Sequence, residues 1–203
     1  MSLSELWSLY GQNYIDALLA TWGMTLESFA IAMVLAVAVT VMRVSPLKPL
    51  RVFGDLYVQV FRNIPGIALL IIVVYALPPL KIVLPYRTCV IVATVLLGSA
   101  FGSENFMSGI NTVGVGQVEA ARSLGMSFSR ILAKIVIPQA LRSSVLPMTN
   151  LFIAVMLTTA LGSQVPLKPQ ELTGVVSYIN TRSLGGVAAF FISALGYLGT
   201  AFV

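Results

Sequence analysis

The chain contains no histidine. That removes His-based catalytic triads, His-ligated zinc and histidine proton relays together. Its single cysteine, Cys89, lies in an apolar run, so an intrachain disulfide is excluded. Charge is scarce as well. Asp, Glu, Lys and Arg make up 9% of the 203 residues, where a soluble domain carries about 25%. A chain so poor in charge cannot cover its surface with polar groups. Disorder, a secreted disulfide scaffold and an ordinary cytosolic enzyme are therefore excluded. No Lys or Arg precedes Arg43, so the start of the chain lacks the positive segment of a cleaved signal peptide.

What is abundant is hydrocarbon. Apolar residues form 58% of the chain, and mean hydropathy is +0.94. An all-α integral membrane protein is the class that remains. Backbone groups in lipid must be paired internally, and nothing here shows the alternation of a barrel. Five apolar runs approach the ~20 residues needed to cross a bilayer: residues 21–42, 65–80, 87–107, 144–162 and 184–203. The second is short and proline-rich, and it gains length from residues 52–61. The net charge of +5 is scattered between these runs. A nucleic-acid binder would gather it on one face.

The charges orient the spans instead. Arg43, Lys48, Arg51 and Arg62 follow the first run, and Arg122, Arg130, Lys134 and Arg142 follow the third. Only Lys81 and Arg87, then Lys168 and Arg182, follow the second and fourth. The bias predicts five crossings with the N-terminus outside and the C-terminus inside. Three amphipathic stretches flank them: Leu3, Trp7, Tyr10, Tyr14 and Leu18 as an outer interfacial helix; Leu50, Phe53, Tyr57 and Val60 after Pro49; and Leu172, Val175, Val176 and Ile179 in a helix opened by Pro169 and Glu171. No repeat or linker interrupts the chain, so residues 1–203 are expected to form one domain.

Residues 109–142 are the largest polar interruption, far longer than the 2–8 residues that usually join neighbouring helices. The segment reads as two helices. The first holds Glu119, Ala120, Ala121, Arg122, Ser123 and Leu124 and ends at Gly125, a residue suited to a left-handed cap. The second follows Ser127 as its cap, carries the apolar stripe Ile131, Leu132, Ile135 and Val136, and is interrupted by Pro138. A first helix this short cannot stand alone and has to dock on something. Within the spans, Arg62 and Glu104 are functional candidates because intramembrane charge is expensive; they are also candidates for a structural pair. Asn150, Thr158, Thr159 and Ser163 are uncharged polar groups in the fourth run, suited to a substrate or to hydrogen bonds between helices.

Glu119-Ala120-Ala121, three residues, Gly125, nine residues and Ile135-Val136-Ile137-Pro138 together resemble the EAA loop of ABC-importer permeases, with Ile137 as the one departure. Phe61-Arg62-Asn63-Ile64-Pro65, Ala100-Phe101-Gly102-Ser103-Glu104 and Ser108-Gly109-Ile110 are similar to motifs of the polar amino acid branch, and Met42-Arg43-Val44-Ser45-Pro46 looks most like glutamate-importer permeases. The resemblance implies a type I permease in a prokaryotic plasma membrane. It implies an ATPase dimer gripping Glu119, Ala120, Ala121, Arg122 and Gly125, a second permease subunit, identical or a sister chain, and an extracytoplasmic solute-binding protein. Arg62, Asn63, Pro65 and Glu104 are candidates for the substrate path. No cofactor or metal site is expected on this chain. It has no phosphate-binding glycine loop, so ATP and magnesium belong to the partner ATPase. Where the family often has Lys-Asp-Thr-Ser, this chain has Leu157-Thr158-Thr159-Ala160; a sister subunit would then supply the substrate contact. The alternatives are a permease for methionine or another small nutrient, and a non-conducting membrane scaffold or sensor. No nucleophile–base or metal constellation points to an enzyme.

Overall fold

A computed structural model describes residues 2–182 and 185–202. Every regular element among the described residues is helical: α1 (Leu3–Val44), α2 (Lys48–Asn63), α3 (Gly66–Ile71), α4 (Tyr86–Asn111), α5 (Val115–Ser123), α6 (Phe128–Ile131), α7 (Ile137–Thr158), α8 (Leu172–Arg182) and α9 (Gly186–Ala201). Wider π-helical turns at Ile72–Ala76 and Leu132–Val136 extend α3 and join α6 to α7.

Several boundaries differ from the sequence expectation, each for a local reason. The outer helix and the first span are one helix, α1, of 42 residues. No proline falls between Leu3 and Val44, and in an apolar segment the helix is what keeps the backbone groups paired. Its aromatic stripe splits: Trp7 is exposed, while Tyr14 is buried. The fourth span likewise continues unbroken from Phe128 to Gln164. Pro138 does not interrupt it. The π-helical turn ends at Val136, and its wider turn accommodates the carbonyl that would meet the proline ring. By contrast α2 does not run straight into the second apolar run. The chain bends by 104° between Asn63 and Gly66, where Pro65 forces the preceding residue out of helical geometry.

Three helices among the described residues are long and apolar enough to cross a membrane: α1, α4 and the continuous Phe128–Gln164. The bent pair α2 and Gly66–Leu80 makes a fourth if read as one span. At 16 residues α9 is shorter. The expected fifth run began at Leu184 and ended at Val203, both outside the described residues.

The chain folds into two compact units. One comprises Met1–Ala30, Ile64–Val95 and Ile153–Val203. Its core joins Leu6, Tyr14 and Ala17 of α1 to Leu172, Val175 and Ile179 of α8 and Ala189 of α9. The Tyr14 hydroxyl donates to the Ala189 carbonyl at 2.8 Å. Arg87 grips Glu27 through both guanidinium nitrogens, at 2.6 and 2.8 Å. Pro169 stays outside α8, and Glu171 caps it. Its carboxylate accepts the Thr173 and Gly174 amides at 2.6 Å each and the Tyr197 hydroxyl at 3.1 Å. Thr21 Oγ1 accepts the Leu172 amide at 3.1 Å. The first three amides of α8 are thus satisfied. Glu171 is fully buried, and burial pushes its carboxyl above the usual range while these donors pull it down.

The second unit comprises Ile31–Asn63 and Leu96–Phe152. Here α4 and α7 meet at Gly109, where a Cβ would lie 2.6 Å from the Ala140 carbonyl and would overlap the Ser144 hydroxyl. Only glycine permits that approach. Gly116 on α5, by contrast, has open space beside it. Gly109→Val is therefore expected to cost about 1–3 kcal/mol through overpacking, while Gly116→Ala stabilises or is neutral. Thermal unfolding of the detergent-solubilised protein checks this; equal effects would contradict the close α4–α7 packing.

Candidate functional site

The short helix α5 is held from beneath and at its end. Ala121 packs with Val113, Ile131 and Val136 in a small apolar cluster, and Val118, Met126 and Ile135 pack against it. At the C-terminus, Gly125 has φ +75°. Its amide donates to the Arg122 carbonyl at 2.9 Å, and the Met126 amide donates to Ala121 at 3.1 Å. This is a Schellman closure, with the Met126–Ala121 apolar contact that accompanies it. The expected stripe of α6 is the other half of the same cluster. Ser127 occupies the position before α6 but makes no capping hydrogen bond.

This support sorts the five loop candidates. Glu119, Ala120, Arg122 and Gly125 are exposed, and Ala121 is buried. Ala121 therefore anchors the helix to its own chain and presents nothing outward. The exposed set is thus carried on a helix that is packed on one face and closed at its end.

The second site is a charge clasp in the same unit. Arg43 of α1 donates through Nε to Asp55 of α2 at 2.9 Å and through Nη1 to Glu104 of α4 at 3.1 Å. Arg62 of α2 reaches the same Glu104 oxygen at 3.4 Å and lies 5.4 Å from the Phe101 ring centre. The expected Arg62–Glu104 pair is present but is the weaker arm. Arg43, with a side chain only 12% exposed, is the centre that sequence reasoning missed; at the end of an apolar run it read as an orientation mark. Arg43, Asp55, Arg62, Asn63, Phe101 and Glu104 line a cavity of about 340 Å³. The Asn63 amide donates to the Gln59 carbonyl at 2.6 Å.

The remaining candidates are separate from the clasp. Pro65 stands at the bend and precedes α3. Asn150 is exposed on α7. The Thr158, Thr159 and Ser163 hydroxyls donate to Ala154, Met156 and Ala160 carbonyls of their own helix at 2.7, 2.6 and 2.8 Å. They therefore bond within a helix and not between helices. Such back-bonding tightens the end of α7 into the 3₁₀ turn Thr159–Gln164. Among the described residues, no group of three metal-ligating side chains occurs.

Residues 28–203 match the family described as "Binding-protein-dependent transport system inner membrane component". The chain belongs to that family. A glutamate transport system permease protein of Corynebacterium efficiens is 33% identical over 97% of this chain and 91% of its own length. An L-cystine transport system permease protein of Bacillus subtilis is 32% identical over 93% of this chain and 81% of its own. A crystal structure of an amino acid ABC transporter superposes with a TM-score of 0.92 at 25% identity, covering 100% of this chain and 93% of that one. A methionine ABC transporter in an inward-facing form reaches 0.72 at 19% identity, covering 100% and 93%, and shares the fold. The permease is thus an all-helical inner-membrane component with the type I fold, a transport subunit and not an enzyme. Permeases of ABC importers work with ATPase and permease partners.

The clasp yields a graded expectation. Arg43→Gln strands Asp55 and half of Glu104, and should cost about 2 kcal/mol, between the exposed and buried limits for ion pairs. Arg62→Gln should cost under about 1 kcal/mol. Denaturation midpoints of the two variants in the same detergent check the order, and a larger loss for Arg62→Gln would overturn it.

Proposed function

We propose that this permease forms half of the translocation pathway of an ATP-driven importer for a polar amino acid, with glutamate as the preferred substrate. The glutamate reading is supported by the glutamate permease of C. efficiens and by the Met42–Pro46 resemblance; cystine and glutamine relatives mark the competing substrates. In this reading the chain crosses the membrane five times, N-terminus outside and C-terminus inside. The bent pair forms the second crossing, and α9 with its flanking residues forms the fifth. A solute-binding protein delivers the amino acid from outside. The clasp cavity lies on the path, where two guanidinium groups and two carboxylates alternate as the charges of a zwitterion do. Pro65, Asn150, Thr158, Thr159 and Ser163 are its further polar and hinge positions.

The observation that carries the proposal is α5: a rigid nine-residue helix outside any span, with Glu119, Ala120, Arg122 and Gly125 facing outward. ATP binding closes the ATPase dimer and moves this helix. Through the Ala121 cluster it moves α6 and the continuous helix to Gln164. ATP must favour one state of that lever differentially, or nothing shifts. ATP and magnesium stay on the ATPase subunits.

Gly125→Asp tests this. No atom lies within 4 Å of a Cβ at Gly125, but its φ of +75° strains any side chain there, so the variant should insert with a loosened α5 closure, and its insertion and ATPase copurification are measured alongside uptake. It should lose ATP-coupled uptake by about tenfold or more, because a loss of 1.4 kcal/mol in docking is already a factor of ten. Uptake into proteoliposomes containing the ATPase and binding protein is the readout, and wild-type uptake by the variant would refute the proposal. A non-conducting scaffold would show no substrate-stimulated ATPase activity in the same vesicles.

A further inference from the structure

We propose that a cavity at the root of the α5 loop is a binding site for an anionic phospholipid, with an acyl chain in the cavity and the headgroup on Lys134 and Arg142. The cavity measures about 140 Å³ and is lined by Val37 and Val41 of α1, Phe106 of α4, and Leu132, Ile137 and Leu141 of the π-helical turn and α7, among other residues. Its one hydroxyl, on Thr40, already donates to the Ala36 carbonyl at 2.7 Å. The cavity is open at its rim and walled almost wholly by apolar side chains, so it offers water no hydrogen-bond partners and suits a length of hydrocarbon.

Two further observations select a lipid. Val37, Val41, Ile137 and Leu141 on the rim remain exposed, and they sit on α1 and Phe128–Gln164, helices long and apolar enough to cross a membrane. The medium at that rim is therefore acyl chain. Next to these rim residues in the chain, Lys134 comes one turn before Ile137 and Arg142 directly follows Leu141, both exposed. Neither enters an ion pair among the described residues. A basic rim on an apolar cavity is the chemistry that retains an anionic headgroup. A lipid seated there braces Leu132 and Ile137 on one side of the turn whose Ile131 and Val136 carry α5 on another. Membrane composition then sets how stiffly α5 is joined to α7. The inference rests on membrane placement and not on which solute is carried.

The test reconstitutes the complete importer with a phosphatidylglycerol or a phosphatidylcholine that carries a diazirine on its acyl chain, followed by peptide mapping. Labelling of Val41 and Leu141 should exceed labelling of Val34, an exposed valine of the same helix that does not line the cavity. Phosphatidylglycerol should exceed phosphatidylcholine by about fivefold for each basic group engaged. Lys134→Gln with Arg142→Gln should erase that preference, and Val41→Phe should cut labelling while the ATPase still copurifies. Equal labelling of Val41 and Val34, or equal labelling by the two lipids, overturns the proposal. If Val41→Phe fails to assemble, the wild-type comparison of the two lipids decides alone. Transport of a different solute would leave this result untouched, so the two readings fail separately.

Discussion

A nine-residue helix has too few hydrogen bonds to offset the entropy of its own nucleation, so α5 exists because Ala121 is buried. That methyl group seats the helix on Val113, Ile131 and Val136. The left-handed Gly125 then turns the chain back so that Met126 closes over the same cluster. The proposed coupling needs a part that an outside motor can push and that does not yield. Packing one face of α5 and leaving the other bare produces such a part. Because the supporting residues belong to α6 and the π-helical turn, the proposed mechanism delivers a push on the bare face to the long helix beyond.

The same logic of paired expense governs the charges. Each ion within a membrane segment costs several kcal/mol when alone, and the clasp answers by giving Arg43 two carboxylates and Glu104 two guanidinium groups. In the other unit, Arg87 and Glu27 meet as a two-pronged pair, and Glu171 is surrounded by donors.

Much of this was legible in the residues. The absence of charge and the length of the apolar runs fix a helical membrane protein, and the Glu119–Gly125 spacing fixes a short helix with a glycine closure. Other features lay beyond reading. Nothing local separates Ala120 from Ala121, yet one is exposed and the other buried, because the distinction is set by Ile131 and Val136 ten and more residues away. Arg43 looked like an orientation mark because its partners Asp55 and Glu104 are brought to it only by the folding of α2 and α4. Pro138 looked like a break because the π-helical turn that accommodates it leaves no sequence signature. The serine and threonine hydroxyls at the end of α7 looked available because back-bonding to a helix's own carbonyls is invisible in composition.

In the proposed mechanism the bare face of α5 meets a nucleotide-driven partner. Single cysteines at Glu119, Leu124 and Ala121, in a chain carrying Cys89→Ser, put that to the most direct test in membranes containing the assembled importer. Thiol crosslinking should join positions 119 and 124 to the ATPase subunit, with yields that change when ATP is added, and should leave position 121 unlabelled. Crosslinks from none of the three, or from Ala121 alone, would contradict it.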